Sequence, residues 1–450
     1  MVKRYKKEYL KRKNYIMYYN KFEKKIARVL DGLPLVRRVA KDIYQRVNYI
    51  IFREKIKYYL LDKTKIFSCF KFLSTNNFTD HDLEIFFGYY DKSPWSYGER
   101  FYLFHIWDEK EREKVKIGVY DFKDNDLIVL DETKAFNFQQ GAMLRWLNMN
   151  SYNVIYNTVV DGYLVSKIKD VITGKEKIVP MPIQTVNILG TEALTLNYKR
   201  LHKLRPEYGY KVNVLNFSEE MSYDEDGIWR IDLNTGKSEL IISLSDLITY
   251  KHRKEMDKSQ HKINHIMYSP SGKRFVFMHR WIGQYGKFSR LYTADVDGTD
   301  LYLLADDRMV SHYTWYDDEH VLAYARKEPI GDKYFLFKDK TTEFRIIGDG
   351  VLDIYGDGHP SYSPDKRWII TDTYPDKARM RYLVLYDTYT DKTMILGKFF
   401  APWKFNGYYR CDLHPRWSPS GTKISIDSAH EGVRGSYIID ISHIIESKDI

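Results

Sequence analysis

Cysteine is nearly absent from this 450-residue chain: Cys69 and Cys411 are the only two. Two thiols make no disulfide framework, so a packed core must hold the fold, and a reducing compartment suits it. Both read as small buried hydrophobes. Long apolar runs are also missing. Stretches such as "YIIF" are short and broken by Arg or Lys, which excludes a transmembrane helix. The N-terminus "MVKRYKKEYLKRKNYIMYY" is basic but lacks the continuous apolar region of a secretory signal. A cytoplasmic location is therefore expected. There is no Gly-x-Ser-x-Gly nucleophile elbow, which sets a serine peptidase aside. No recognised nucleic-acid module occurs, so no nucleic-acid partner is expected.

What the chain does have is apolar and aromatic mass. Apolar residues make up 44% and aromatics 16%, with 39 Tyr, which is ample for a large core and too rich for disorder. The net charge of +10 is unevenly spread. Residues 1–60 hold 18 Lys and Arg against 5 Asp and Glu, a surplus of 13, so the remaining residues are near −3. The basicity belongs to an N-terminal appendage, residues 1–64. It reads as two helices split by "DGLP" at 31–34. In the second, Val36, Val39, Ile43, Val47, Ile50 and Ile51 recur at helical spacing, and Arg37, Arg38, Lys41, Arg46 and Arg53 fill much of the opposite face. Such a helix suits either an anionic membrane surface, which would make the protein peripheral on the inner face of a membrane, or docking on its own body.

Beyond residue 80 short Val/Ile/Tyr/Phe runs alternate with turn residues, the pattern of an all-β fold. Four segments align: "HIMYSPSGKRFVFMH" from His265, "HYTWYDDEHVLAYAR" from His312, "HPSYSPDKRWIITDT" from His359 and "HPRWSPSGTKISIDS" from His414. Each has a histidine, two residues, an aromatic, a turn and an alternating strand. Degenerate copies begin at Lys92, Met143 and Ile183. Seven units of propeller-blade length predict a seven-bladed β-propeller over 65–450, preceded by the basic α-helical extension. The last copy runs out after three strands, so the segment 65–73 is expected to supply the missing outer strand of blade seven and close the ring. The head positions then form a circle at one mouth. Converging neutral imidazoles there suit a divalent metal, while a histidine that braces the neighbouring blade is the structural alternative.

The core "x-W-S-P-x-G-x-x-I-x-x-x-S", clearest at Trp417-Ser418-Pro419, Tyr362-Ser363-Pro364 and Tyr268-Ser269-Pro270, resembles the TolB-type propeller repeat. With histidines heading successive blades, the body from about 83 to 443 is similar to the oligogalacturonate lyases. The resemblance implies a cytoplasmic seven-bladed propeller that cleaves uronic-acid-containing oligosaccharides by β-elimination. It also implies a divalent metal, Mn by preference, held by three histidines and a glutamine over the axis. On this chain it points to His312, His359 and His414 as metal ligands. The family's Gln-x-x-His-x-His pattern is altered here: Cys411 stands at the glutamine position and Arg416 at that of the second histidine.

An acidic oligosaccharide needs cations to neutralise its carboxylate, a base to take the C5 proton and a donor for the leaving C4 oxygen. Arg200, His202, Arg205 and Tyr208, in an insertion from 198 to about 222 that is longer than folding requires, are the candidate catalytic residues. Lys92, Gln140, Arg145, His265, Tyr374 and Arg416 are the candidate substrate-binding residues. The competing reading is a non-catalytic, membrane-associated propeller that binds anionic glycan or partner proteins in surface-polysaccharide metabolism. A glycoside hydrolase would need a carboxylate pair, for which Asp372, Asp412 and Glu431 are available.

Overall fold

The structure, a computed structural model, describes residues 34–76 and 83–446. Seven antiparallel sheets succeed one another along the chain, and together they form a seven-bladed β-propeller. The first strands of blades one to seven are Leu83–Phe86, Arg145–Trp146, Thr185–Val186, Gln260–Tyr268, Val310–Trp315, Ser361–Tyr362 and Arg416–Trp417. Later strands of each blade step outward in sequence order.

The repeat motif has a readable physical basis. Its serine hydroxyl accepts a backbone N–H from across the following turn: Ser363 from Trp368 at 2.9 Å and Ser418 from Lys423 at 3.2 Å. The hydroxyl substitutes for a backbone acceptor and fixes the hairpin. The turn needs one residue at positive φ, supplied by Gly272 and Gly421 where the sequence reads SPSG. The motif's aromatic reaches the preceding blade. The indole N–H groups of Trp146, Trp315 and Trp417 donate to the carbonyls of Pro94, Met267 and Ser361 at 3.0, 3.2 and 3.2 Å. Blade-to-blade register is thus carried by the aromatic.

The core is divided among blade interfaces. Trp368, Leu383, Trp417 and Ile424 pack between blades six and seven, and Tyr102, Phe104 and Ile438 between seven and one. The ring closes as the sequence suggests, through β2, Lys65–Ser68, which pairs antiparallel with Gly435–Asp440 on the outer edge of blade seven. The strand is shorter than the predicted 65–73. Cys69–Asn76 is instead a 3-10 helix, because Cys69 and Leu73 turn inward to join the core between blades seven and one. Both cysteines are buried and free.

The appendage holds a second departure. The first predicted helix lies outside the described residues. The second is α1, Pro34–Phe52. After it, Tyr58–Leu60 forms β1, which pairs with Gly397–Phe399 as a fifth strand of blade six. The sequence reading places this segment in the helical extension. A sheet edge offering unpaired N–H and C=O groups recruits it. No helix of the described residues is long and apolar enough to cross a membrane.

Candidate functional site

The head positions owe their direction to local backbone irregularity. The ladder of blade four slips register between Asn264 and Met267, and that of blade five between Val310 and Tyr313. His265 and His312 sit in these bulges. His265, His414 and Met143 all take positive φ, at 48°, 44° and 56°. Bulges re-aim side chains, and here four imidazoles from four blades converge. The rings of His312 and His359 are 4.0 Å apart, and those of His359 and His414 4.3 Å. Two tyrosines from blade one fill the middle. Tyr89 lies 4.9 Å from His265 and 5.0 Å from His414, and Tyr90 lies 5.2 Å from His359 and 5.9 Å from His312.

The partners of each ring set its tautomer. His414 Nδ1 is 2.8 Å from the carbonyl of Gly88, so it carries the proton and Nε2 keeps a lone pair. His359 Nδ1 is 2.8 Å from Asp372 Oδ1, and His312 Nδ1 is 2.9 Å from Asp357 Oδ1. The Nε2 atoms of His359 and His414 are buried and have no hydrogen-bond partner among the described residues. Burial lowers the pKa of His265, His312 and His414, and His359 pushes that of His414 down further. These rings are neutral at pH 7. His414 also performs the bracing role, since Gly88 belongs to the next blade.

Asp412 completes the group. One ligand atom from each of His359, Asp412 and His414 lies within 4.8 Å of the others, which makes this a group that could hold a metal ion. Burial alone would raise the Asp412 carboxyl, but Arg410 at 2.6 Å and Arg381 at 2.7 Å outweigh it and hold the group ionised. Two imidazole nitrogens without a hydrogen-bond partner among the described residues and one carboxylate fit a borderline divalent cation. The orienting bonds to Asp372 and Gly88 are the outer contacts such ligands need. This group shares His359 and His414 with the expected set and adds Asp412. The bond to Asp357 holds His312 on the neighbouring cavity instead. Cys411, at the expected glutamine position, is not part of this group; burial pushes its thiol up to about 12.

Beside this group lies a cavity of about 140 Å³ lined by His265, His312, Ser311 and three tyrosines, Tyr89, Tyr208 and Tyr374. Arg205 and Arg280 line it too. Arg205 has a carboxylate neighbour, Glu207, at 3.3 Å. Arg280 forms no ion pair among the described residues; its bonds go to Met278 Sδ and to the Val310 carbonyl. Directly across the blade-four ladder stands Lys262, which is 3% exposed. Burial, then the charges of Arg280 and Arg205, lower its pKa to about 6.

The sequence candidates therefore separate. His265, Arg205, Tyr208, Tyr374 and His312 meet at the cavity. Arg200 does not. It lies on α2, Tyr198–Leu204, and is bound to Asp226 and the Met221 carbonyl. His202, on the same helix, is absent from the cavity wall, as is Arg145. The helix turns residues 200 and 202 away, and the chain reaches the cavity only after its C-cap at Arg205. Lys92 is buried against Asp91 at 2.5 Å. Gln140 is buried, and Arg416 is fixed by Asp427 and the carbonyls of Gly88 and Tyr89. None of these three lines the cavity. For a hydrolase pair, Asp372 and Asp412 are already engaged by His359 and by two arginines.

Tyr89, Lys262 and Arg280 escaped the sequence reading. The signal for the last two was a basic residue in mid-strand, in "HKINH" and "FMHRWIG", with no acidic residue opposite.

No known family's sequence profile matches the chain, and no curated protein matches it in sequence. Known structures do. An oligogalacturonate lyase from Vibrio parahaemolyticus superimposes with a TM-score of 0.58 at 13% identity, covering 85% of this chain and 96% of that one. An oligogalacturonate lyase solved in complex with manganese gives 0.59 at 15%, covering 88% and 98%. TolB from Acinetobacter baumannii gives 0.38 at 13%, covering 73% and 76%. The neighbours thus include the oligogalacturonate lyase fold, and at these identities the likeness is one of fold.

Proposed function

We propose that the protein is a lyase of the oligogalacturonate type, cleaving uronic-acid-containing oligosaccharides by β-elimination. The observation that carries this reading is Arg280, a guanidinium without a carboxylate partner among the described residues, on the wall of a polar cavity. A planar fork of that kind pairs with a carboxylate through two parallel bonds. A likeness in fold to two oligogalacturonate lyases, one of them holding manganese, supports the same reading.

In this proposal Arg280 and Arg205 bind the uronate carboxylate and stabilise the charge that develops as C5 loses its proton. Lys262, which stands behind the cavity wall across the ladder from Arg280 and is largely an uncharged amine above pH 6, accepts that proton through an intervening water. The C4–O bond then breaks, the C5 electron pair becomes the C4=C5 double bond, and the leaving oxygen takes a proton from Tyr208 or Tyr374. Solvent carries the proton from Lys262 back to the phenol. Burial raises the pKa of Tyr89, so it stays protonated as a hydrogen-bond donor to the sugar. A divalent cation would be held by His359, His414 and Asp412, with His312 beside them, and would supply further neutralisation of the carboxylate.

A second reading rests on one specific observation. Both Asp412 oxygens already pair with arginines, which weakens that carboxylate as a ligand and suits a propeller that binds acidic glycan without cleaving it. The test is the ultraviolet absorbance of the unsaturated product on mixing the protein with Mn²⁺ and oligogalacturonates. The lyase reading expects a rising trace, reduced by about a hundredfold or more in His414→Ala. A flat trace with retained oligosaccharide binding would leave the binding protein.

A further inference from the structure

Helix α1 is inverted relative to an ordinary surface helix. Its inner face is aromatic and polar. Asn48 is buried, and the Tyr49 ring packs on Phe400 at 5.9 Å and on Trp403 at 6.0 Å. Arg46 covers Trp403 at 5.3 Å, and Lys377 of blade six approaches Tyr44 and Phe52 at 6.0 and 5.9 Å. The apolar stripe faces the other way. Val39, Ile43, Val47, Ile50 and Ile51 are 58, 58, 49, 70 and 66% exposed. Their spacing of four, four, three and one residues places them on one side of a helix. Packing against the body would normally bury such a stripe; here it is turned to the outside as a continuous row.

Charge decides what would cover it. Lys41, Arg46, Arg53, Lys55 and Lys57 are exposed on the helix and the segment that follows it, against one exposed acidic residue there, Asp42. Residues 1–30 carry 11 Lys and Arg against 2 Asp and Glu, so folding that segment over the stripe would set cations on cations. A second copy of the face would do the same. A bilayer bearing anionic headgroups offers an apolar layer for the stripe and negative charge for its rim.

We propose that α1 seats the propeller on an anionic lipid surface, with Val39, Ile43, Val47, Ile50 and Ile51 entering the headgroup–acyl boundary and the flanking lysines and arginines pairing with lipid phosphates. The inference stands apart from the lyase reading, since α1 contributes nothing to the cavity wall.

The experiment is sedimentation of the full chain with vesicles of phosphatidylcholine alone or mixed with phosphatidylglycerol, at low and high salt. Binding to the mixed vesicles is expected to exceed binding to the neutral ones by about tenfold or more and to weaken with salt. The double variant Ile43→Asp/Ile50→Asp should lose that binding while keeping the wild-type melting temperature. Three results would overturn the proposal. One is equal or absent binding to the mixed vesicles by wild-type protein. Another is a wild-type dimer, seen by light scattering, that the variant abolishes, which would make the occupant a second copy. The third is a variant that unfolds several degrees earlier than wild type, which would mean that part of the chain covers the stripe.

Discussion

Lys262 and Arg280 face each other as two basic groups across a ladder, and this pairing has consequences that can be measured. Between about pH 6 and the ordinary lysine value the unfolded chain holds a proton that the folded protein does not. Stability contributed at this site therefore rises with pH across that window. Lys262→Met should remove that slope. Its melting temperature should exceed that of the wild type most at pH 6, and the gap should close toward about pH 10. Identical pH profiles of melting for the two proteins would contradict this. If turnover is found, its rising limb should lie near pH 6 and disappear in the methionine variant. Arg280→Met should shift the limb upward, because one of the charges that depress the amine is gone, and should raise KM by about tenfold or more. A shift in the opposite direction would break the link between the two residues. At this scale the sequence was half legible. His265, His312, His359 and His414 could be found because they recur at one position of a repeat. Tyr89, Lys262 and Arg280 recur nowhere, and each gains its meaning from side chains on other strands. Arg200 and His202 looked like site residues for lying in a polar insertion, but α2 turns them elsewhere.

At the scale of elements, ring closure and blade register are the features to test. Phe67 pairs with Ile438 in the strand that closes blade seven. Phe67→Pro removes a ladder N–H and fixes φ, so it should expose the blade-seven edge and cause aggregation on heating. A deletion ending at residue 57, which leaves β1 and β2 intact, should remain a folded propeller that does not aggregate on heating, as followed by light scattering. If both proteins behave alike, β2 is not the closing element. Trp417→Phe keeps the ring in the blade interface but leaves the Ser361 carbonyl without its indole donor. A loss of about 1 kcal/mol by denaturant unfolding is expected. The closing strand was legible because a three-strand last unit demands a fourth. β1 was not, since three residues carry no periodicity and their partner edge is set by the circle. The apolar stripe of α1 was equally plain from spacing. Which way it would face was not, because aromatic and cationic contacts to Lys377, Phe400 and Trp403 decide that.

At the scale of the whole molecule, the propeller turns a linear recurrence into a local concentration of chemistry. Residues from 89 to 414 in the sequence lie within a few side chains of one another because seven similar units arrange their inner strands around an axis. Bulges at His265 and His312 then re-aim two of the four imidazoles. This places ring nitrogens beside a cavity whose two arginines have one carboxylate neighbour, Glu207, among the described residues, and an acidic sugar would supply what that cavity lacks. The most direct measurement is an anomalous difference map from a crystal soaked in Mn²⁺ and a short oligogalacturonate. A manganese peak bounded by His359, His414 and Asp412, with a uronate carboxylate against Arg280, is the predicted result. Sugar bound away from the axis, or a cavity that stays empty at saturating oligosaccharide, would contradict the account.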